Sequence, residues 1–531
     1  MKLKPVAVAV AVFLVFWPML THRFVTWDDD GFLYLNPYFR GLDWAHLRWM
    51  FTTFLHGPYQ PVAWLSFAVD YLIWGMSPGG FHLSGLLWHC ANAALVFILC
   101  RRLLALAAPQ AEPSSRGWAA AFAALLFALH PLRVEPVAWA TARRDLISGF
   151  FLLCAVLCHL RRHEQPARYR YWRSWTVVCY CVSLLAKPMG IGLPLVLVLL
   201  DTAVLPPRKD SRAAWKDLPL YLIPALGVAW LALKGQAVSG AMSAAENFSW
   251  AQRLAQACYG HAFYLVKTIW PSGLAPIYGR ALRFDPLGPA FLAAGALILA
   301  VAAAAFSQRR RMPAVWAAWL SYLILLAPVL GAVKYGTQLV ADRYSYLPAL
   351  PLSLLAGAAL MKALAKSRRT AAALACCVIV SLAVLCHRQL VFWQDSETLY
   401  RRVLALDPNQ AVARNNLGLV YDHQGRLHEA LEQYRLALAA RPHFAEARND
   451  FGAALIRLGR IDEAEAAFRQ ALADNPRLAS ACNNLGLVQA KRGRWKEALE
   501  FFEASLRLDP NYVQAARNRG LVLRLTGKQK L

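Results

Sequence analysis

Charge is scarce in this chain of 531 residues: only 17% of it is Asp, Glu, Lys or Arg, and the 57 bases outnumber the 31 acids. Soluble domains carry about a quarter. With 58% hydrophobic residues and a mean hydropathy of +0.35, the shortfall excludes a wholly soluble protein and points to a polytopic membrane chain with a soluble part. Lysine is the rarer base, and the Arg- and Ala-rich composition is that expected of a bacterial inner-membrane protein. There is no glycine-rich phosphate loop, so no nucleotide-sugar site of that kind is expected. The eleven cysteines follow neither a disulfide framework nor zinc-knuckle spacing. No small-x-small cleavage site follows the first apolar run, which is therefore expected to stay as a span. Nor is there the inverted internal repeat of a transporter.

A net charge of +26 invites a nucleic-acid reading. The Arg and Lys clusters, however, lie between apolar runs, where membrane topology uses them, and no nucleic-acid partner is expected. Spans are expected at 5–20, 81–104, 118–129, 146–160, 175–185, 190–200, 218–233, 286–306, 314–330, 346–364 and 371–386. Segments 42–55 and 61–74, aromatic and interrupted by charges, are expected to lie on the outer surface. Stretch 254–270 decides the topology. If it spans, Arg309-Arg310-Arg311 falls outside; if it lies in the interface, that cluster is inside with the others, as the positive-inside bias favours. The expectation is then eleven spans, a cytoplasmic N-terminus, and everything after Cys386 outside.

Beyond that point the sequence repeats. Gly418, Gly452, Gly486 and Gly520 stand 34 apart, as do Pro408, Pro442, Pro476 and Pro510, Ala430, Ala464 and Ala498, and Tyr434, Phe468 and Phe502. This is the tetratricopeptide period. Small residues let paired helices approach, the aromatic is expected to fill the space between repeats, and Pro ends the second helix. The expected fold is all-α: a membrane helix bundle at 1–390, with residues 21–80 as its first external loop, then a periplasmic helical solenoid at 391–531. The solenoid holds three full repeats (411–444, 445–478, 479–512) and flanking helices. Asn415, Asn449 and Asn483 recur on the first helix of each repeat. Two readings stand: they hold an extended peptide backbone in a groove, or they serve repeat packing.

The bundle's chemistry-bearing residues gather on the outer face. Asp28, Asp29 and Asp30 follow the first span, amid Trp27, Tyr34, Tyr38, Trp44 and Trp49. Three ionised carboxylates belong outside the hydrocarbon, since each costs roughly 2.5–3.5 kcal/mol at its centre. They can form a plain hydrated loop with a helix cap at Asp30, serve as general base for a lipid-borne substrate, or hold a hydrated divalent cation. His130, Glu135, Arg143, Arg144, Asp145, Lys187, Lys334, Tyr335, Arg343 and Tyr344 share this face. Cations there run against the positive-inside bias. They either pair internally, as Arg144 with Asp145 or Arg343 with Asp342, or await an anion such as a lipid phosphate.

Trp27-Asp28-Asp29-Asp30, His130-Pro131 with Glu135, Trp139, Arg143 and Asp145, Lys187-Pro188, residues 341–348 and the repeats together resemble the C-type-fold membrane glycosyltransferases. The likeness is greatest to protein O-mannosyltransferase relatives with tetratricopeptide repeats. The resemblance implies a catalytic carboxylate in the first external loop, a sugar on a polyprenyl phosphate as donor, and Ser or Thr hydroxyls of exported proteins as acceptors. It implies no cofactor requirement. The family pairs its acids where this chain has three in a row. Asp28, Asp29 and Asp30 are therefore the expected catalytic set, with Arg143, Arg144, Lys187 and Arg343 as expected contacts of the donor phosphate. Direct displacement of that phosphate inverts the anomeric centre. The rival reading is a non-enzymatic membrane scaffold in which the repeats recruit envelope partners.

Overall fold

The computed structural model describes residues 4–55, 57–205, 213–238, 249–278, 285–330 and 339–527. Lys334 and Tyr335, and the basic residues Arg208, Lys209 and Arg212, lie outside them. No strand occurs among the described residues. The chain divides into two compact units, Met1–Asp395 and Ser396–Leu531.

In the first unit five helices are long and apolar enough to cross a membrane: Pro78–Ala107, Leu218–Gly235, Pro289–Ser307, Ala349–Lys366 and Arg368–Trp393. A sixth crossing results if Pro113–Ala128 and Pro131–Ala138, bent by 58°, form one broken span. The break is at His130-Pro131, where the proline cannot donate to the preceding turn. The other runs expected to span fall on shorter apolar helices (Pro5–Thr21, Pro188–Val204, Pro313–Val329) or on helices with charged residues near their ends (Arg143–Glu164, Tyr169–Ala186). A count of eleven would need all of these to cross.

The segment expected as the first external loop, residues 21–80, is itself packed. Phe32, Leu33, Phe39 and Met50 are buried with Trp64 and Phe67 of helix Pro61–Trp74. Phe32 stacks on Trp64 at a centroid distance of 5.6 Å. Asp43 caps the short helix Trp44–Thr52, accepting from Ala45 N–H at 2.9 Å and His46 N–H at 3.1 Å. Helix Pro61–Trp74 turns Trp64, Phe67 and Ala68 inward and leaves Leu72, Ile73 and Trp74 exposed. It starts on a proline, whose missing N–H costs nothing in a first turn. The aromatic loop thus forms one packed unit against helices Pro78–Ala107, Arg143–Glu164 and Tyr169–Ala186.

At the bundle's other end, Asp201 and Asp217 neutralise Arg162. His159 and His163 both donate to Asp201 Oδ1, at 2.6 and 2.7 Å, while Arg162 reaches Oδ2 at 2.7 Å.

The second unit is a run of antiparallel helix pairs, Ala411–His423 with Leu427–Ala440, Ala445–Arg457 with Ile461–Asp474, and Ala479–Lys491 with Trp495–Leu508. Ser396–Leu406 precedes them and Val513–Leu525 follows. A Cβ on Gly418, Gly452 or Gly486 would lie 2.6–2.7 Å from the ring of Tyr434, Phe468 or Phe502. The aromatic therefore packs against the glycine of its own repeat, and Phe502 also joins Val522 of the following helix in one buried cluster. Gly425, Gly459 and Gly493 turn the chain between paired helices at φ 73–78°, a left-handed conformation that glycine adopts freely.

Candidate functional site

One of the three acids ties the acidic loop down. Asp29 is 1% exposed. Its Oδ1 accepts from the Thr141 N–H at 2.9 Å and hydroxyl at 2.5 Å, and its Oδ2 from Val25 N–H at 3.1 Å. Thr141 sits in the turn Ala140–Ala142, directly before helix Arg143–Glu164. Burial pushes the Asp29 carboxyl up to about 7, against the hydrogen bonds from Thr141 and Val25. An acid raised in the folded state takes up a proton on folding between its unfolded value, about 3.9, and about 7. Its stabilising contribution is present below that window and is lost as pH rises through it. The expected result is a wild-type chain whose thermal unfolding midpoint in detergent falls from about pH 5 to about pH 8, with the slope reduced in Asp29→Asn. Identical slopes would remove Asp29 as the titrating group.

Asp28 and Asp30 are placed differently. Asp28 is exposed and has φ 86°, a positive value that non-glycine residues seldom hold and Asp tolerates better than most. Asp30 is half-buried and opens the wide turn Asp30–Tyr34, whose Phe32 packs into the loop core. The three side chains do not converge. Among the described residues, the group with metal-ligand spacing is His159, His163 and Asp201, with Arg162 on the same carboxylate, and not the acidic loop.

The cations sort into those that face this loop and those that do not. Lys187 Nζ lies 2.7 Å from both oxygens of Asp145, in the first turn of helix Arg143–Glu164. Burial pulls its ammonium down to about 8, with Asp145 opposing the shift. Arg343 pairs with Glu135, which also accepts from the Arg343 N–H at 3.0 Å, and its guanidinium lies over Trp139 at 5.2 Å and Tyr344 at 4.9 Å. Arg144 donates to Gln60 Oε1 at 3.0 Å, lies over the Phe32 ring at 5.2 Å, and makes no ion pair among the described residues. Arg144 stands in the field of Asp145, Asp28 and Arg343, and Lys187 in the field of Asp145, Arg144 and Arg343. The three cations therefore gather around Asp145, and of them Arg144 also feels the exposed Asp28.

Two residues expected there hold the frame instead. Arg143 is 1% exposed, pairs with Asp70 of helix Pro61–Trp74, donates to Phe81 O at 2.6 Å, and lies over Phe67 and Phe81. His130 has both ring nitrogens occupied: Nδ1 accepts from Leu132 N–H at 3.2 Å and Nε2 meets Thr268 O at 3.1 Å, so helix Trp250–Ile269 is anchored to the break in the bent pair. That helix also sends Tyr264 to the backbone of Ala341, just before Asp342 and Arg343. Thr141, Gln60 and Asp70 were missed by sequence reasoning. Only the nearness of Thr141 to the Arg143-Arg144-Asp145 run could have pointed to one of them.

In the repeat unit, Asn415, Asn449 and Asn483 are 5, 7 and 3% exposed. Each bonds to the next repeat: Asn415 Nδ2 to Asp450 at 3.1 Å, Asn449 Oδ1 from Asn484 at 2.9 Å, Asn483 Oδ1 from Asn518 at 2.9 Å. They stand behind the surface and link the repeats.

A tetratricopeptide repeat family model matches residues 387–443 and 449–513. Protein O-mannosyl-transferase Tmtc1 of Drosophila melanogaster is 37% identical over 29% of this chain and 17% of its own length, and Tmtc2 of the same organism 36% identical over 28% and 15%. The match to Tmtc3 of Drosophila melanogaster is longer, 25% identical over 71% of this chain and 48% of the relative. The homologues of this chain are thus protein O-mannosyl-transferases by name, and the chain itself carries tetratricopeptide repeats. The chain spans less than half the length of these curated relatives. Among solved structures, MamA is 28% identical over 25% of this chain and 77% of its own, at a TM-score of 0.23. This chain itself joins helices long and apolar enough to cross a membrane to a run of tetratricopeptide repeats.

Proposed function

We propose that this chain is a membrane glycosyltransferase that moves a mannose-like sugar from a polyprenyl phosphate to Ser or Thr hydroxyls of exported proteins. The observation that carries the reading is the exposed Asp28 in the field of Arg144, with Lys187 and Arg343 gathered around the neighbouring Asp145. Asp28 takes the proton of the acceptor hydroxyl as the new C–O bond forms at the anomeric carbon. The lipid phosphate leaves from the opposite side, so the centre inverts. Its growing charge is met by the three cations, Arg144 foremost because its own partner is a neutral amide. Asp29 and Thr141 hold the base in place, and Glu135 and Trp139 hold Arg343.

A cavity of about 150 Å³ supports the lipid part of the reading. Leu152, Leu193 and Leu350 line it, on the helix that carries Arg144 and on helices that follow Lys187 and Arg343. Its walls are apolar, as a lipid chain requires, and they extend through Leu103, Ala107 and Val204 toward the end of the bundle where Asp201 lies. No cofactor is assigned, and the divalent cation considered for Asp28, Asp29 and Asp30 would have to bind without the convergence of all three. In this reading the site and the repeats face the periplasm of a bacterial inner membrane, with Arg309-Arg310-Arg311 in the cytoplasm, and the repeats gather acceptor proteins.

The test is transfer by the purified chain from polyprenyl-phosphate mannose to Ser- and Thr-containing peptides, read by mass spectrometry. Arg343→Ala is expected to raise the donor KM about tenfold or more, as loss of a charge-assisted contact does. Arg310→Ala, in the basic cluster, should not change it. No transfer by the wild-type chain from any polyprenyl-phosphate sugar would favour the scaffold. Equal effects of both substitutions would remove Arg343 from the donor site.

A further inference from the structure

Two segments that meet beside the acidic loop are fastened to one another at their far ends as well. Helix Arg143–Glu164 begins with Arg144 and Asp145 and carries His159 and His163 in its last turns. The apolar helix Pro188–Val204 follows Lys187 and closes on the wide turn Leu200–Val204, which holds Asp201. Lys187 joins Asp145 at one end, and the two histidines join Asp201 at the other. The first clasp is an ion pair. The second has the composition and spacing of a metal site.

His159 and His163 stand four apart, so both rings leave the same face of the helix. Their side chains are 1 and 9% exposed, and that of Asp201 is 6% exposed. Both Nε2 atoms meet one oxygen, Asp201 Oδ1, at 2.6 and 2.7 Å, and the three ligand atoms lie within 4.8 Å of one another. Zinc bonds to imidazole and carboxylate are about 2.0–2.2 Å long, which sets ligands about 3.3 Å apart in a tetrahedron. Spreading each of these two contacts by about 0.6 Å therefore admits the ion. The C-terminus of the helix turns the negative end of its dipole to the same place.

Protons alone leave this cluster in conflict. Arg162 Nη2 is 3.0 Å from His159 Nε2 and 2.7 Å from Asp201 Oδ2. A guanidinium only donates, so it asks Nε2 for a lone pair, whereas Asp201 Oδ1 asks the same atom for a proton. Whichever tautomer forms, one of the two contacts opposes it. His159 Nδ1 is buried with no partner among the described residues. A divalent ion removes the conflict. Both Nε2 lone pairs and Oδ1 turn to the metal, and Arg162 keeps Oδ2, the kind of outer hydrogen bond that ligating carboxylates receive. The charge of Arg162 is itself met by Asp217, which also receives Tyr169 and Arg173.

We infer that His159, His163 and Asp201 bind a divalent cation of the zinc class, with water in the fourth position, and that the ion clasps helix Arg143–Glu164 to the turn Leu200–Val204. Two imidazoles select against magnesium and calcium, which take oxygen ligands. The site lies at the other end of the bundle from the acidic loop and holds whether or not the chain transfers sugar. The experiment uses the full chain, purified in detergent without a polyhistidine tag, stripped with a chelator and titrated with zinc chloride or cobalt chloride. The wild-type chain is expected to keep one zinc after dialysis, to show the visible bands of tetrahedral cobalt, and to melt at a higher temperature with zinc than without. His163→Gln and Asp201→Asn should each weaken zinc binding at least about tenfold and lose most of that rise. His163→Cys, which keeps a ligand in place, should retain zinc and add a thiolate-to-cobalt absorption in the near ultraviolet, so a lost ligand is told apart from a damaged fold. No zinc on the wild-type chain would overturn the inference. So would zinc uptake by His163→Gln and Asp201→Asn equal to that of wild type, or a cobalt spectrum unchanged in His163→Cys.

Discussion

Asp28→Asn is expected to lower sugar transfer about a thousandfold, within the range a positioned general base contributes. Asparagine is the informative replacement at this position. It tolerates the φ of 86° nearly as well as aspartate, so the loop keeps its shape, whereas alanine would add backbone strain to the loss of the carboxylate. The donor should still bind, because Arg144, Lys187 and Arg343 are untouched, and the thermal midpoint should stay within a degree or two of wild type. Asp30→Asn, at a half-buried position that opens the packed turn, should cost much less activity. The measurement is kcat with saturating polyprenyl-phosphate mannose, beside a donor-binding titration. A larger loss in Asp30→Asn would move the base to Asp30, and full activity in both would refute carboxylate catalysis from this loop.

The sequence made the frame legible because periodicity and charge placement are local signals. Four columns at a step of 34 place every helix pair of the array, and the run Asp28-Asp29-Asp30 with cations on the same expected face marks the region proposed here as the site. Distinguishing three adjacent aspartates is another matter. What separates Asp29 from Asp28 is a threonine 112 positions away and the burial that comes with it, and neither leaves a trace in the spacing. The repeats fail for a similar reason. Asn415 and Asn416 are both polar in an Asn-Asn pair, and only the rotation of the helix decides which one is turned to the neighbouring repeat and which to the groove. Span counting has least to work with where helices are apolar yet short, as at Pro188–Val204, since composition alone does not fix how a short helix sits in a bilayer.

Arg143 and Arg144 carry this limit into a test, since two identical neighbours are expected to fail in different ways. Arg143 is enclosed by Asp70, the Phe81 carbonyl and two aromatic rings. Removing its charge leaves Asp70 buried without a counter-ion, which costs about 3–5 kcal/mol. Arg143→Ala should therefore lower the thermal midpoint sharply and lose activity through loss of folded chain. Replacing the pair together, Arg143→Met with Asp70→Leu, should recover most of the stability, because no charge is then stranded. Arg144 is half-buried and bonded to a neutral amide beside the acidic loop. Arg144→Ala should leave the midpoint nearly unchanged and raise the donor KM at least tenfold. Arg144→Lys should rescue little of that, because an ammonium cannot present the guanidinium fork to a phosphate. Thermal melts and donor titrations on the same four variants decide the matter. If Arg144→Ala unfolds the chain, or Arg143→Ala binds donor poorly while melting like wild type, the two roles are exchanged and the site must be drawn one helical step round.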